Sequence, residues 1–357
     1  MTMSRWTRPH DQRTAALGRS RRLRGAVLVA VTAAAVSTLA ACGSGDGGGG
    51  GDKLILVLPN SAIIPFYEAY VAQKNGYFKD EGLTVEINSQ EGSEPTVQAL
   101  ASGQADIIEL TTSALLPAAA SRNGFDPNLF FLTESKAPFD VVASADSGVT
   151  SAADMKGKTL GVGTPDGAET ITAKGLLGAA GLTPEKDYKI LPVGAGGQAV
   201  AALERGDIDA YAGGIADLAV LRARGLKLTS LTPAGAPGRV GFGYWALDKT
   251  IKGDKVALQK FTKAIARAHE YIAGDPQKLV DFTKKANPQQ VNDPKVALEL
   301  AKASVELRAP EDGQTYGVVV PERWKAWYQS LVDAGVIPKD KVEDPVGFYT
   351  NTLVPKG

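Results

Sequence analysis

Cysteine and histidine are nearly missing from these 357 residues: Cys42, His10 and His269 are the only ones. Intramolecular disulfides and Cys/His zinc sites are thereby excluded, and after Cys42 a Ser-His-Asp triad would have His269 as its sole base. His269 falls in residues 256–272, whose apolar positions recur at helical spacing, and so reads as an ordinary packed or surface helix residue. No Gly-x-Ser-x-Gly elbow, Walker loop or His-Glu-x-x-His segment occurs. No metal and no cofactor is expected, and catalysis has no recognisable nucleophile–base pair.

Acidic residues are scarce in the first 24 positions, where seven arginines stand against Asp11. Residues 25–41 then carry no charge, are rich in Ala and Val, and fall short of the roughly 20 residues that a membrane-spanning helix needs. A basic segment, a short apolar run and a small-residue end make an export signal. Leu39-Ala40-Ala41-Cys42 resembles a bacterial lipobox, which implies cleavage ahead of Cys42 and diacylation of its thiol. A structural thiol, or an ordinary signal peptide that contains a cysteine, are the alternatives. Ser20-Arg21-Arg22-Leu23 resembles a twin-arginine start, but Arg24 stands where that motif has an apolar residue, which favours the general export route. Each buried CH₂ of an acyl chain contributes ~0.8 kcal/mol, so two chains hold a protein firmly at a surface. Residues 42–52 then serve as a Gly-rich tether with a flexible reach of roughly 15–18 Å.

Cleavage there removes 41 of 357 residues and leaves 316, a size that suits two lobes better than one core. Seven arginines and one aspartate leave with the signal, so 39 basic and 39 acidic groups become 32 against 38. A mildly acidic body does not fit nucleic acid as a partner.

From residue 53 onward, short apolar strand-like runs alternate with helix-like ones, which predicts an α/β fold with largely parallel sheets. The alternation restarts near residue 148 and gives way to amphipathic helices after about residue 247. The boundaries this suggests are a first lobe at 53–145, a second at 146–238, and a return segment at 239–357 whose helices pack back on the first lobe. Crossings near 144–148 and 238–243 would make a hinge of two segments. A weak internal repeat relates residues 97–106 to 200–209: each has a short helical run, a glycine (Gly103, Gly206) and an acid (Asp106, Asp209) opening the next strand.

Four segments in order carry a family resemblance. Residues 66–85 contain Gly76-Tyr77-Phe78-Lys79-Asp80-Glu81-Gly82-Leu83 between a helical and a strand-like run; the others are 99–107, 154–162 and 202–210. Together they resemble the solute-binding lipoproteins of ABC importers, in the branch that binds nitrate, sulfonates, taurine or thiamine precursors. The resemblance implies a two-lobed type II periplasmic-binding-protein fold, a small-molecule solute held in the cleft, closure by hinge bending, and an ABC permease with its ATPase as partners. It further implies a monomer, exported and lipid-anchored to the outer face of the cell membrane.

On such a fold the loops after the strands are where ligand is held. On the first lobe these offer Asn60, Ser61 and Phe66, Glu109 at a strand end, and Thr111, Thr112 and Ser113. On the second they offer Thr164, Asp166, Gly167 and Ala168, then Gly196 and Gly197, with Tyr244 and Trp245 as aromatic walls. The structural alternatives are helix capping for the threonines and Ser113, tight turns for the glycines, core packing for Phe66, Tyr244 and Trp245, and a solvent-facing or helix-capping place for Asp166 and Glu109. A carboxylate ~4 Å from an anion costs roughly 4 kcal/mol at an effective dielectric of 20. If Asp166 or Glu109 faces the cleft, a heteroaromatic or amine-bearing solute of the thiamine-precursor kind is favoured over sulfonate or nitrate. Three other readings are a tethered sensor module, a secreted hydrolase, and an enzyme resembling the eukaryotic pyrimidine synthase, whose cysteine-rich iron-binding motif this sequence lacks. For the anchor, Cys42→Ala is expected to move the protein from the membrane to the soluble fraction in cell fractionation, and retention in the membrane would refute lipid attachment at Cys42.

Overall fold

The computed structural model describes residues 52–136, 138–165, 167–232, 240–310, 313–333, 335–341 and 344–356. The export signal, Cys42 and the body of the tether lie outside the described residues. The first strand, β1 (Asp52–Leu58), buries Leu54, Leu56, Val57 and Leu58, as befits a parallel strand covered on both faces. After it come α1 (Tyr67–Lys74) and α2 (Tyr77–Asp80), separated by Gly76 at φ 78°, a left-handed turn that closes α1 where the Asn-Gly pair suggests. The chain continues through β2 (Leu83–Ser89), α3 (Ser93–Ala101), β3 (Ile107–Thr111), α4 (Thr112–Ser121) and β4 (Pro127–Leu132). Next follow β5 (Phe139–Ser144), β6 (Thr159–Val162), α5 (Ala168–Ala179), β7 (Lys189–Pro192), α6 (Gly197–Arg205), β8 (Ala210–Gly214), α7 (Ile215–Ala223) and β9 (Leu228–Ser230). Last come β10 (Phe242–Leu247), α8 (Asp248–Gly253), α9 (Lys255–Ile272), α10 (Pro276–Ala286), α11 (Pro294–Arg308) and α12 (Pro321–Asp333).

These strands form two five-stranded sheets with the same plan. One has the order β2-β1-β3-β10-β4 and the other β7-β6-β8-β5-β9. In each, three strands run parallel and the fourth, antiparallel to its neighbours, is supplied by chain that has just crossed from the other sheet. The sheets are therefore mixed, more so than the simple alternation of elements suggested.

The crossings differ from the sequence reading at one place. β5 pairs with β8 and β9, so the chain leaves the first sheet at residues 133–138 and not at 144–148. The apolar triplet Val141-Val142-Ala143 is compatible with either sheet, and its partners are too distant in sequence to be read from it. The return runs between Ser230 and Phe242. The two crossings bind each other: the amides of Thr133 and Glu134 both donate to the Phe242 carbonyl at 3.0 Å, and the Gly241 amide donates to the Glu134 carbonyl at 3.0 Å. A Cβ on Gly241 would lie 2.7 Å from Glu134 Cβ and also clash with the Lys136 carbonyl, so only glycine permits this approach.

The internal repeat has a shared structural job. Asp106 accepts a hydrogen bond from the Ile55 amide of β1 at 2.8 Å, and Asp209 accepts one from the Thr159 amide of β6 at 2.8 Å. Each acid follows a short helix and a left-handed glycine (Gly103 φ 76°, Gly206 φ 73°) and pins the second strand of its sheet, β1 or β6.

The C-terminal helices pack back on the first sheet. Ala257, Leu258, Phe261, Ala264, Ile265, Ala268 and Ile272 of α9 share one core with β1 residues, and Trp324, Trp327 and Tyr328 of α12 join a second core with Ile108 and Trp245. Asp275 and Asp293 each accept amide hydrogen bonds at the first turn of a helix that opens on proline, the preferred start for α10 and α11. Helix α11 also packs against α7, whose strand β8 lies in the other sheet, so the halves touch beyond their two crossings. Removing either clamp, Asp106→Ala or Asp209→Ala, is expected to cost about 1–3 kcal/mol, and the double variant about the sum, because each acid serves its own sheet. Urea unfolding of the three variants checks this; a double variant no less stable than either single one would contradict it.

Candidate functional site

The loops beyond β1 and β3 form the mouth of the first sheet. Asn60 and Ser61 are exposed; Asn60 Oδ1 accepts from the Ala62 amide at 2.9 Å, and the Ser61 carbonyl accepts from Gln290 Nε2 at 3.0 Å. Phe66 is buried and meets Phe242 edge-on at 5.4 Å, so the β1 loop leans on the second crossing. Thr111 is almost buried, and Ser113 Oγ donates to its hydroxyl at 3.4 Å. Thr112 is fully buried, where its hydroxyl donates to the Val240 carbonyl at 2.6 Å and accepts from Trp327 Nε1 at 2.8 Å. That hydroxyl is thus a clamp between the second crossing and α12. Tyr244 and Trp245 are also fully buried, with Trp245 Nε1 donating to the Leu110 carbonyl at 3.1 Å and its ring packed on Trp324. Both aromatics are core residues of β10 and offer no open wall to a solute.

At the mouth of the second sheet, Thr164 is exposed, Gly167 is the cap of α5, Ala168 is its first residue, and Asp166 lies outside the described residues. Gly196, at φ 56° and ψ −120°, precedes Gly197, the first residue of α6. The Gly196 amide donates to Asp217 Oδ1 at 3.1 Å. The Thr164 amide reaches Glu169 Oε1 at 3.4 Å, and a Cβ on Gly167 would lie 2.5 Å from Glu169 Oε2, so this carboxylate folds back over the start of α5. Buried Tyr211 donates to the Gly194 carbonyl at 3.2 Å, and burial followed by the charges of Asp217 and Glu169 holds its pKa far above the ordinary phenol value. One amide ahead of each of α5 and α6, that of Thr164 and that of Gly196, therefore already faces a carboxylate of this chain. Glu169, Tyr211 and Asp217 were not among the candidates; acids in a helix's first turn were the available signal.

The hinge holds a third assembly. Arg308, the last residue of α11, is fully buried; its Nε donates to Glu68 Oε1 at 2.6 Å and Nη1 to Glu134 Oε1 at 2.8 Å. Its Nη2 donates to the Pro65 carbonyl and lies 3.8 Å from Glu109 Oε1. Thr133 donates to Glu109 Oε1 at 3.0 Å, and Tyr316 donates to Glu68 Oε1 at 2.6 Å. The His269 ring stacks on Tyr316 at 3.8 Å, with Nδ1 3.0 Å from Tyr67 Oη, so His269 is packed into the core. Glu109 accordingly neither lines an open cleft nor caps a helix, as the sequence reading had posed; it is buried opposite Tyr244 on β10. Burial, then the charge of Glu68, pushes Glu109 up to about 8, and burial pushes Glu134 up to about 7 despite Arg308. Burial lowers His269. One oxygen of each glutamate (Oε2), together with Tyr244 Oη and Ser304 Oγ, is buried without a hydrogen-bond partner among the described residues. An open recess beside the cluster is lined by Thr133, Val240, Arg308, Gln314, Tyr316 and Arg323, and so touches both crossings. Among the described residues no group of three or more His, Cys, Asp or Glu side chains is arranged to hold a metal ion.

With this geometry the relatives can be compared. Residues 64–279 match the family model described as NMT1/THI5 like. The chain belongs to that family. The 4-amino-5-hydroxymethyl-2-methylpyrimidine phosphate synthase of Aspergillus parasiticus is 29% identical to this NMT1/THI5-like chain over 238 residues, 62% of the chain and 67% of the relative. The riboflavin-binding protein RibY of Chloroflexus aurantiacus is 21% identical over 303 residues, 84% of each. Among solved structures, the periplasmic aliphatic sulphonate binding protein SsuA of Escherichia coli aligns with a TM-score of 0.61 at 15% identity, covering 85% of this chain and 99% of that one. The fold of this NMT1/THI5-like chain is that of the two-lobed periplasmic binding proteins.

The cluster sets a pH signature. From an ordinary value of 4.5, Glu109 and Glu134 rise on folding to about 8 and about 7, so between those limits the unfolded chain has released protons that the folded one keeps. Their contribution is fully present below about pH 4.5 and is lost as pH rises to about 8. His269 acts oppositely, since its lowered pKa costs stability as pH falls below its ordinary 6.5. Wild type is therefore expected to lose stability relative to Glu109→Gln as pH rises from about 5 to 8 in urea unfolding. A difference that stays constant across that window would contradict the assignment.

Proposed function

We propose that this chain is the extracytoplasmic solute-binding lipoprotein of an ABC importer, and that its solute is neutral or cationic, heteroaromatic or amine-bearing. The observation that carries capture and closure is the pair of like sheets joined by two crossings that hydrogen-bond each other. Solute enters between the strand-end loops of the two sheets, contacts from both halves favour the closed form, and that form docks on the permease and its ATPase at the membrane, where the acylated Cys42 keeps the monomer within reach. Solute shifts the open–closed balance only by its differential affinity for the two forms. Asn60 and Ser61 on the first mouth, and Thr164 and the 194–197 turn on the second, remain the contacts proposed for it.

The charge class follows from Glu169 and Asp217. Each is held at one loop amide ahead of a helix start, and a second negative charge ~4 Å away costs roughly 4 kcal/mol at an effective dielectric of 20. An N–H donor on the solute gains from the same carboxylates. The relatives named for a pyrimidine phosphate synthase and for riboflavin binding support a heteroaromatic solute, while the SsuA likeness is one of fold. The synthase relative also favours a second reading, catalysis, against which stands a sequence with no cysteine after Cys42. Thermal-shift titration decides among 4-amino-5-hydroxymethyl-2-methylpyrimidine, riboflavin, alkanesulfonates, nitrate and aromatic carboxylates. A solute at about a hundredfold its Kd adds about 2.7 kcal/mol. The aminopyrimidine or flavin is expected to stabilise the protein, with Glu169→Gln weakening that binding roughly tenfold or more. Stabilisation by sulfonates or nitrate alone would refute the charge class.

A further inference from the structure

The Arg308 assembly is larger than a structural ion pair requires. Three carboxylates, from α1, β3 and the first crossing, converge on one guanidinium, and all four groups are buried. Each carboxylate keeps one oxygen without a well-formed hydrogen bond, Ser304 Oγ is left open beside them, and Tyr244 Oη has Glu109 as the group it faces. Such groups are costly to bury unpaired, so their persistence calls for a compensating role. Among the described residues Arg308 is the cation bonded within the cluster, and Arg323 of α12 stands beside it on the shared recess, its Nη2 donating to the Ser135 carbonyl at 3.0 Å. From α1, β10 and the chain after α11, Tyr67, Tyr70, Tyr244 and Tyr316 are all held above the ordinary phenol value and stay neutral. From α9, His269 is shifted toward its neutral form by burial. Lys136, on the same crossing as Glu134, is exposed and pairs outward with Glu306 at 3.6 Å.

The position of the cluster makes this excess consequential. Glu134 lies in the first crossing, and its backbone N–H and C=O are two of the groups that bind the second crossing at Phe242 and Gly241. Arg308 joins this residue to Glu68 and to the Pro65 carbonyl in the loop after β1, the loop that carries Asn60, Ser61 and Phe66. Hinge and first-sheet mouth thus share one buried strut.

The geometry points to Arg308, Glu109 and Glu134 as positioning residues that hold the two crossings together only while the cluster retains a proton. Proton loss leaves uncompensated negative charge in a buried site beside the paired crossings, and the crossings separate more often. The hinge of the proposed receptor is then stiffer below neutral pH and looser above it, and solute retention follows. A cluster that served global stability alone would lower protection at the crossings no more than at the strands β1 and β6. With values of about 8 for Glu109 and about 7 for Glu134 against an ordinary 4.5, the loosening begins near pH 5 and is complete by about pH 9, its last part, above pH 7, belonging mainly to Glu109.

The consequence for solute retention rests on the receptor reading, but the test does not. Hydrogen–deuterium exchange on the purified, solute-free protein reports protection factors for the Thr133, Glu134 and Gly241 amides, with intrinsic exchange chemistry divided out. Wild type is expected to lose roughly tenfold in protection at these amides between pH 7 and 9, the amount one released proton can supply, and clearly more there than at the amides of β1 and β6. In Glu109→Gln, which has the shape of the protonated side chain, the loss is expected to fall below about twofold. Flat protection in wild type overturns the inference without any variant, and so does an undiminished pH dependence in Glu109→Gln. Either failure leaves the solute titration to stand or fall by itself.

Discussion

A single guanidinium carries much of the burden of joining this molecule. Arg308 ends α11, reaches α1 through Glu68, the β1 loop through the Pro65 carbonyl and the first crossing through Glu134. A planar, always-charged fork suits this task better than a lysine would, because three bond directions are engaged at once. Deleting one partner of such a buried pair typically costs about 3–5 kcal/mol, since the remaining charges stay buried. The mouth of the first sheet, the hinge and the C-terminal helices are therefore mechanically one unit, with the second sheet attached through the crossings and α7.

Around that constraint the chain repeats itself. Two sheets of one plan each receive a strand from the other half's chain, and the second strand of each, β1 or β6, is pinned by an aspartate. The mouths nonetheless differ in charge. The first is lined by an exposed polar loop and backed by the buried cluster, while the second has Glu169 and Asp217 at its helix starts. In the proposed receptor, recognition of an N–H-bearing solute draws on that asymmetry and closure on the symmetry.

How much of this was legible depended on distance along the chain. Helices α9 to α12 declared themselves through apolar spacing and Asp-Pro or Pro starts, and the 97–106 and 200–209 repeat was readable because both halves use local turn chemistry. The family followed from short ordered segments. The placement of β5 was not readable, because Val141-Val142-Ala143 has no preference between two sheets whose strands lie far off in sequence. Glu109 was singled out as an acid at a strand end, but its fate depended on Arg308, and Arg308 and Glu68 are themselves 240 positions apart. Thr112, Tyr244 and Trp245 sit where loop position suggested solute contact, yet each is filled by core partners that only tertiary packing supplies. The signal, Cys42 and the tether rest on sequence alone.

The central claim is that two lobes turn about the paired crossings to enclose a solute. Its most direct measurement is the distance between spin labels at Lys79 and Lys174, exposed positions on opposite halves, before and after saturation with the solute that the titration identifies. A second, discrete distance population that grows with solute at the expense of the first is the expected result. A single unchanged distribution while calorimetry shows the solute bound would contradict hinged capture.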